Sequence, residues 1–271
     1  MDAHISFLTD YGTADGFVAV CRGVIARIAP GARVLDITHE VPAGDIRRGA
    51  ALLAQTLPYL PPGVTVAVVD PGVGTPRRGV LVRTAEHLLV GPDNGLLMWA
   101  ADAVGGALSA HELTASDLML PRVSATFHGR DVFAPVAAHL ATGTSAHRVG
   151  PRLDPGGLVR LPDPVAYVVD DTAHGEVLTV DRFGNVQTSL GPAELAAIGA
   201  APGGSVTVRT VDGEWTVAFG RTFADVPLGE PVAVLDSADR LAVAVNGGSA
   251  AALTRLAPEG QVSVSRADGT A

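Results

Sequence analysis

The chain of 271 residues has no lysine, a single cysteine and few aromatic residues. All 19 basic residues are arginine, which excludes Schiff-base chemistry at lysine and a phosphate loop that needs lysine. Cys21 alone can form neither an internal disulfide nor a cysteine-rich zinc site, so the cytoplasm is the expected compartment. With 28 acidic residues and a net charge of -9, the chain lacks the basic surface that nucleic-acid binding requires.

Long hydrophobic runs are also missing. No segment approaches the roughly 20 consecutive apolar residues of a membrane helix, and we expect no membrane association. Residues 1–5 show neither the basic region nor the apolar run of a signal peptide. Because 47% of the chain is hydrophobic and only 4% is aromatic, alanine, valine and leucine must fill its core. The length predicts one large domain or two modest ones.

The first half of the chain alternates between strand-like and helix-like patterns. This alternation predicts a sheet covered by helices, an α/β domain over residues 1–160. The predicted strands are 5–8, 33–37, 64–69, 79–83 and 87–90, and the predicted helices are 17–28, 46–57 and 131–140. Asp10 and Asp70 both lie at the ends of predicted strands, and sites in such sheets gather at the carboxyl ends of strands.

After about residue 160 short strand patterns dominate. They predict a smaller, mostly β domain over residues 165–271, with the boundary in the proline-rich stretch 151–164. Asp212-Gly213 is typical of a hairpin turn between two of these strands. The predicted strands are 176–180, 206–210, 215–219, 232–235, 241–245 and 262–265, with helices at 193–198 and 250–256.

Three segments concentrate polar residues in apolar surroundings. The first runs from Asp70 to Arg77 through a glycine-rich turn, which suits close approach to a ligand but also an ordinary capped turn. The second surrounds His128, a candidate base or orienting group, although a lone histidine is more often structural. The third runs from Asp181 to Asn185 and is expected inside a strand, as a site or as a bulge.

Two further segments favour structural roles. Asp36 and His39 are two ligand types without a third at useful spacing, so hydrogen bonding in a loop is a better interpretation than a metal site. The segment Gly91-Pro-Asp-Asn-Gly95 is typical of a turn closed by local side-chain hydrogen bonds.

Taken in order, these segments resemble the S-adenosyl-L-methionine hydroxide adenosyltransferase family, whose relatives include the fluorinase and the chlorinase. The resemblance runs over nearly the whole chain, and the ordered set is far more specific than any one motif. The matching segments are FLTDYG at 7–12, DITH at 36–39, VVDPGVG at 68–74, GPDNG at 91–95, TFHGRD at 126–131, DRFGN at 181–185, TFADVP at 222–227, GE at 229–230, DS at 236–237 and AVNG at 244–247.

The resemblance implies an α/β N-terminal domain with a mainly parallel sheet, and a smaller C-terminal β-barrel. It implies a homotrimer whose sites lie between subunits, with S-adenosyl-L-methionine as substrate, no further cofactor and no metal. It implies hydrolysis of that substrate to adenosine and L-methionine by water attack on C5′. The catalytic set would be Asp70, Arg77 and His128, with Arg77 preferred over Arg78 for its spacing from Asp70.

The same resemblance implies a set of substrate-binding residues. Asp10 would bind the ribose hydroxyls, Asp181 the methionine ammonium and Ser237 its carboxylate. The purine would lie against the remaining three, which are Asn185, Phe223 and the backbone at Val245.

Two alternatives to hydrolysis stay open. A halide-using enzyme would make a 5′-halo-5′-deoxyadenosine, but those relatives carry tyrosine where this chain has Asp70. The fluorinase also carries Tyr-Ser where this chain has His128-Gly129. A non-catalytic protein that binds S-adenosyl-L-methionine or adenosine would have no need of the three candidate catalytic residues.

Overall fold

A computed structural model describes residues 3–267, and the chain forms two compact units, Met1–Leu161 and Pro162–Ala271. Within the described residues no helix is long and apolar enough to cross a membrane. The two units are built differently. The first combines helices with a mixed sheet, and the second consists mainly of strands with short helices between them.

The first unit contains a seven-stranded sheet in the order β2-β1-β3-β5-β4-β6-β7. Strands β2, β1, β3 and β5 are parallel, and β4, β6 and β7 continue the sheet in antiparallel pairings. The strands are β1 His4–Thr9, β2 Arg33–Thr38, β3 Gly63–Val68, β4 Gly79–Arg83, β5 His87–Pro92, β6 Ser109–Glu112 and β7 Arg152–Leu153.

Helices cover both faces of this sheet. They are α1 Phe17–Ile28, α2 Ile46–Thr56, α3 Met98–Ala103 and α4 Ala134–Ala141, with a π-helical turn at Gly129–Phe133 and 3₁₀ turns at Leu57–Tyr59, Ser116–Leu118, Ala146–Val149 and Pro155–Gly157. Alternate residues of a strand face opposite sides. Phe7 therefore packs with α1 and α4 in one core, while Leu8 packs with α2 and α3 in the other.

The second unit is a closed seven-stranded barrel. Its strands run in the order β10-β14-β13-β12-β11-β15-β9, and a β9–β10 pairing closes the ring, with β8 paired outside it to β9. The strands are β8 Ala166–Val169, β9 Thr172–Val180, β10 Val186–Thr188, β11 Ser205–Thr210, β12 Gly213–Phe219, β13 Pro231–Leu235, β14 Leu241–Val245 and β15 Gln261–Arg266. The helices are α5 Pro192–Ala197 and α6 Ala250–Thr254, with a 3₁₀ turn at Phe223–Asp225.

The expected α/β unit followed by a β-barrel is confirmed. Two local details differ from the predictions. Residues 181–185 form a turn between β9 and β10 rather than lying inside a strand, because the Asp181 side chain closes the segment on itself. The helix predicted to begin at Asp131 begins as α4 at Ala134, and Asp131 lies inside the preceding π-helical turn, where its carboxylate is fully buried.

Candidate active site

Two aspartates meet at one edge of the first sheet. Asp10 follows β1 and Asp70 comes two residues after the end of β3, and these parallel strands pair with Thr9 opposite Val68. The topology therefore places both carboxylates at the carboxyl ends of adjacent strands, as the sequence predicted. One oxygen of Asp10 accepts the Gly44 N–H at 2.9 Å.

Asp70 and Arg77 form a two-pronged ion pair. The Arg77 Nε donates to both carboxylate oxygens of Asp70, at 2.9 and 3.1 Å, and its Nη2 donates to Oδ2. The side chains are 6% and 12% exposed, so the pair is shielded from water. The guanidinium carbon also lies 5.2 Å from the ring centre of the buried Phe133. Such a planar pair fixes the orientation of both groups. Arg78 points elsewhere, to Asp93, so the preferred register places Arg77 here.

His128 completes the cluster. Its Nδ1 lies 3.0 Å from the Arg77 Nη2. Because a guanidinium can only donate, Nδ1 is the acceptor and the ring carries its proton on Nε2. Burial and the nearby Arg77 lower the pKa of His128 below its ordinary value of 6.5. The histidine is therefore neutral at pH 7 and offers an Nε2–H donor.

A close backbone approach brings the His128 loop to the Asp70–Arg77 turn. Gly74 adopts a φ of +79°, and a Cβ at this position would lie 2.3 Å from the carbonyl oxygen of Ala125. Only glycine suits that backbone angle and that contact. The glycine-rich turn is thus needed for packing against the segment that leads to His128.

Aromatic side chains line the cavity beside these polar groups. The cavity has a volume of about 320 Å³ and contains Asp10, Asp70 and His128 in its wall. Tyr11, Phe17 and Phe127 surround it, with ring centres 5.3 to 6.1 Å apart. None of these three residues was predicted from the sequence, although Tyr11 directly follows Asp10 in the first motif. An apolar wall with a few charged groups is typical of a small-molecule site.

A larger groove of about 890 Å³ lies elsewhere on the first unit, beside α1 and the loop before the π-helical turn. Its charged residues include Arg27, Arg122 and the Arg130–Asp131 pair. None of the predicted site residues line it. The smaller cavity is the better candidate because it holds the ionisable cluster.

In the second unit, Asp181 and Asn185 are joined by their side chains. The Asp181 carboxylate accepts the backbone N–H groups of Phe183 and Asn185 at 2.8 and 2.9 Å, and the Asn185 side-chain amide at 2.8 Å. This turn holds Asn185 at the edge of a cavity of about 750 Å³. Phe223 and Val245 also line that cavity, so three of the residues expected at the purine lie together.

Ser237 lies apart from that group. It is exposed in the turn between β13 and β14, before the first residue of β14, whereas Val245 is the last residue of that strand. Asp236 beside it bonds to Gln187, two residues beyond Asn185. In the described residues no three histidine, cysteine or acidic side chains are grouped closely enough to hold a metal ion.

Comparison with known proteins places the chain in a family. Residues 5–150 match the SAM hydroxide adenosyltransferase N-terminal domain, and residues 175–263 match the C-terminal domain. The chain belongs to the SAM hydroxide adenosyltransferase family. It is 56% identical over 265 residues to an (R)-S-adenosyl-L-methionine hydrolase of Salinispora arenicola. The aligned region covers 96% of this chain and 97% of that protein.

Two further proteins are similar to this chain at lower identity. A fluorinase of Nocardia brasiliensis is 30% identical over 277 residues, covering 91% of each chain. A crystal structure of a conserved protein from Thermotoga maritima superposes with a TM-score of 0.92 at 37% identity, over 97% of this chain and all of that one. This chain is therefore an enzyme of the family and shares its two-unit fold.

Proposed function

We propose that this enzyme hydrolyses S-adenosyl-L-methionine to adenosine and L-methionine. The observation that carries the proposal is the Asp70–Arg77–His128 cluster, in which Arg77 bonds to Asp70 and His128 and these two line a small-molecule cavity. The chain that holds this cluster is 56% identical to a hydrolase of this substrate. The reaction needs no lysine and no bound cofactor, which suits a chain whose basic residues are all arginine.

The chemistry requires alignment more than acid catalysis. A water oxygen attacks C5′, the C5′–S bond breaks, and its electron pair stays on sulfur to give the neutral thioether of methionine. The leaving group therefore needs no proton, while the attacking water must lose one, which ends in solvent. Holding the water in line with the C5′–S bond supplies much of the rate, and partial deprotonation supplies more.

The hydrogen bonds suggest how the three residues divide this work. Arg77 donates hydrogen bonds to Asp70 and His128 and so holds both side chains in place. The neutral His128 has an Nε2–H to donate to the water oxygen. The Asp70 carboxylate accepts a hydrogen bond from the water and so polarises its O–H bond toward hydroxide. We assign Arg77 to orientation and charge balance, and Asp70 and His128 to the water.

Binding of the substrate involves both units. Asp10 has a second carboxylate oxygen for the ribose hydroxyls beyond the one bonded to Gly44. We assign Asn185, Phe223 and Val245 to the adenine, because they line one cavity with exposed aromatic surface. The roles of Asp181 at the methionine ammonium and Ser237 at its carboxylate rest on the resemblance alone. Three carboxylates, at positions 10, 70 and 181, suit a cationic substrate.

Hydrolysis is tested by following the oxygen atom. Purified protein and S-adenosyl-L-methionine in oxygen-18 water should give adenosine that carries the label at its 5′-hydroxyl, together with L-methionine. Both sulfonium epimers belong in the assay, since the relative's name specifies the (R) form. Formation of a 5′-halonucleoside when fluoride or chloride is added would favour the halide-using alternative. Binding without turnover would favour the non-catalytic one.

We further propose that the enzyme is a cytoplasmic homotrimer, with each site formed by different units of two subunits. The single cysteine, Cys21, is buried and unpaired, which suits a reducing compartment. Subunit mixing tests the shared site: an Asp70→Asn chain and an Asn185→Ala chain, each inactive, should regain part of the activity when reassembled together. Sites contained within one chain would give no recovery.

A further inference from the structure

The turn that follows β5 makes contacts well beyond itself. Its residues Asp93 and Asn94 belong to the segment 91–95, for which the sequence predicts a turn closed by local side-chain hydrogen bonds. A turn closed only by local hydrogen bonds would satisfy these side chains within a few residues. Instead, Asp93 bonds to a residue 15 positions away and Asn94 to one 25 positions away. Both partners are neighbours of the Asp70–Arg77 pair in the chain.

Asn94 holds the peptide that carries Asp70. Its side-chain amide donates to the Val69 carbonyl at 2.8 Å, and its Oδ1 accepts the Leu96 N–H at 3.2 Å. Val69 and Leu96 are both fully buried, so water cannot replace either partner. The Val69 carbonyl belongs to the peptide that joins Val69 to Asp70. Fixing that peptide plane fixes the direction in which Asp70 leaves the end of β3.

Asp93 holds the segment that carries Arg77. Its backbone N–H donates to the Arg78 carbonyl at 3.0 Å, which extends the β4–β5 pairing by one residue. Its carboxylate accepts the Arg78 Nε at 3.0 Å and the Val159 N–H at 2.9 Å, and is 4% exposed. Neighbouring side chains of an extended segment point to opposite sides. With Arg78 held at Asp93, Arg77 faces the other way, where Asp70 lies.

We propose that Asp93 and Asn94 are positioning residues that hold Asp70 and Arg77 in the orientation in which they pair. The inference rests on the proposed function, because it takes Asp70 and Arg77 as members of the catalytic set. This turn therefore bonds to the residues on both sides of the glycine-rich segment, Val69 before it and Arg78 after it. These contacts set the geometry of the Asp70–Arg77 ion pair.

Variants at Asn94 test the positioning role by separating kcat from KM. Asn94→Asp keeps the shape and the contact to Leu96 but places an acceptor against the Val69 carbonyl; Asn94→Ala removes both contacts. Each should lower kcat about 10- to 100-fold with KM changed less than about 3-fold, because small displacements of reacting groups are costly. Asp102→Asn, which breaks the exposed ion pair with Arg160, is the matched control and should keep kcat. An unchanged kcat in folded Asn94→Asp would overturn the proposal.

A double-mutant cycle with Asp70 distinguishes positioning from general destabilisation. If Asn94 acts through Asp70, Asn94→Ala should cost nothing further in an Asp70→Ala background, since coupled residues are not additive. Full additivity of the two losses would overturn the positioning role while leaving the catalytic assignment in place. An Asp70→Ala variant with normal kcat would instead contradict the proposed catalytic set, whatever Asn94→Ala does.

Discussion

Position 129, beside His128, has room only for glycine because of one neighbouring atom. A Cβ built on it would lie 2.0 Å from the Tyr11 hydroxyl oxygen and 3.0 Å from Cζ of the same ring. The Tyr11 ring is held between Phe17 and Phe127, and burial raises the pKa of its phenol, which therefore stays neutral. The tyrosine hydroxyl thus excludes any side chain at position 129.

This contact predicts a compensating pair of substitutions. Gly129→Ala should lower the free energy of unfolding by about 1–3 kcal/mol, the usual cost of overpacking, and reduce turnover. Tyr11→Phe/Gly129→Ala should recover part of both losses, because the nearest atom then lies 3.0 rather than 2.0 Å away. Urea unfolding and steady-state kinetics of the four proteins provide the measurement. Strict additivity would show that the hydroxyl is not what excludes the methyl group.

At the scale of the element, the turn from Asp70 to Arg77 acts as a unit with the loop before His128. The contact between Gly74 and Ala125 joins them, and the Thr75 hydroxyl closes the turn on the Gly72 carbonyl at 2.6 Å. The sequence indicated a turn from its glycines, but a partner 51 residues further along the chain could not be read from it.

Replacing Gly74 by alanine should separate the two segments. Gly143→Ala is the matched control, since Gly143 also has a positive φ but no atom of the described residues within 4 Å of its Cβ position. The control should cost about 1–2 kcal/mol of unfolding free energy, the strain of a left-handed alanine, and leave kcat unchanged. Gly74→Ala should cost more and lower kcat, because His128 moves away from Arg77. Equal effects of the two variants on kcat would contradict this account.

For the whole molecule, acid sensitivity should come from buried histidines in the first unit. Burial lowers the pKa of His87, His111 and His128 below 6.5. His87 and His111 are 4% and 8% exposed, and each has a buried Nδ1 without a hydrogen-bond partner among the described atoms. A charge added to either ring would therefore be poorly compensated.

The sign of the pH dependence follows from these shifts. Below pH 6.5 the unfolded chain binds more protons than the folded one, so stability falls as the pH falls through and below that value. Denaturant unfolding should give a lower free energy at about pH 5.5 than at about pH 7.5, and His87→Gln/His111→Gln should weaken that difference. An unchanged difference in the double variant would assign the acid sensitivity to other groups.

Much of the architecture was readable from local pattern. The bounds of α1, β4 and β14 agree with the predicted segments, because each has a clear apolar pattern that ends at polar or turn-forming residues. The short strands β6, β7, β8 and β10 and the helix α3 were missed. They are held by tertiary pairing, and each is too short to show a period of its own.

Composition alone excluded several chemistries. The absence of lysine excluded Schiff-base and phosphate-loop chemistry, and a substitution reaction at a cationic substrate was implied only by the resemblance of the ordered motifs to the SAM hydroxide adenosyltransferase family. Which residues meet depends on the tertiary fold. Arg77 rather than Arg78 faces Asp70, His128 joins them from 51 residues away, and Asn94 leaves its own turn to hold the Val69 peptide. Hydrogen bonds between distant segments form only once the sheet has brought its strand ends together, and no local pattern records them.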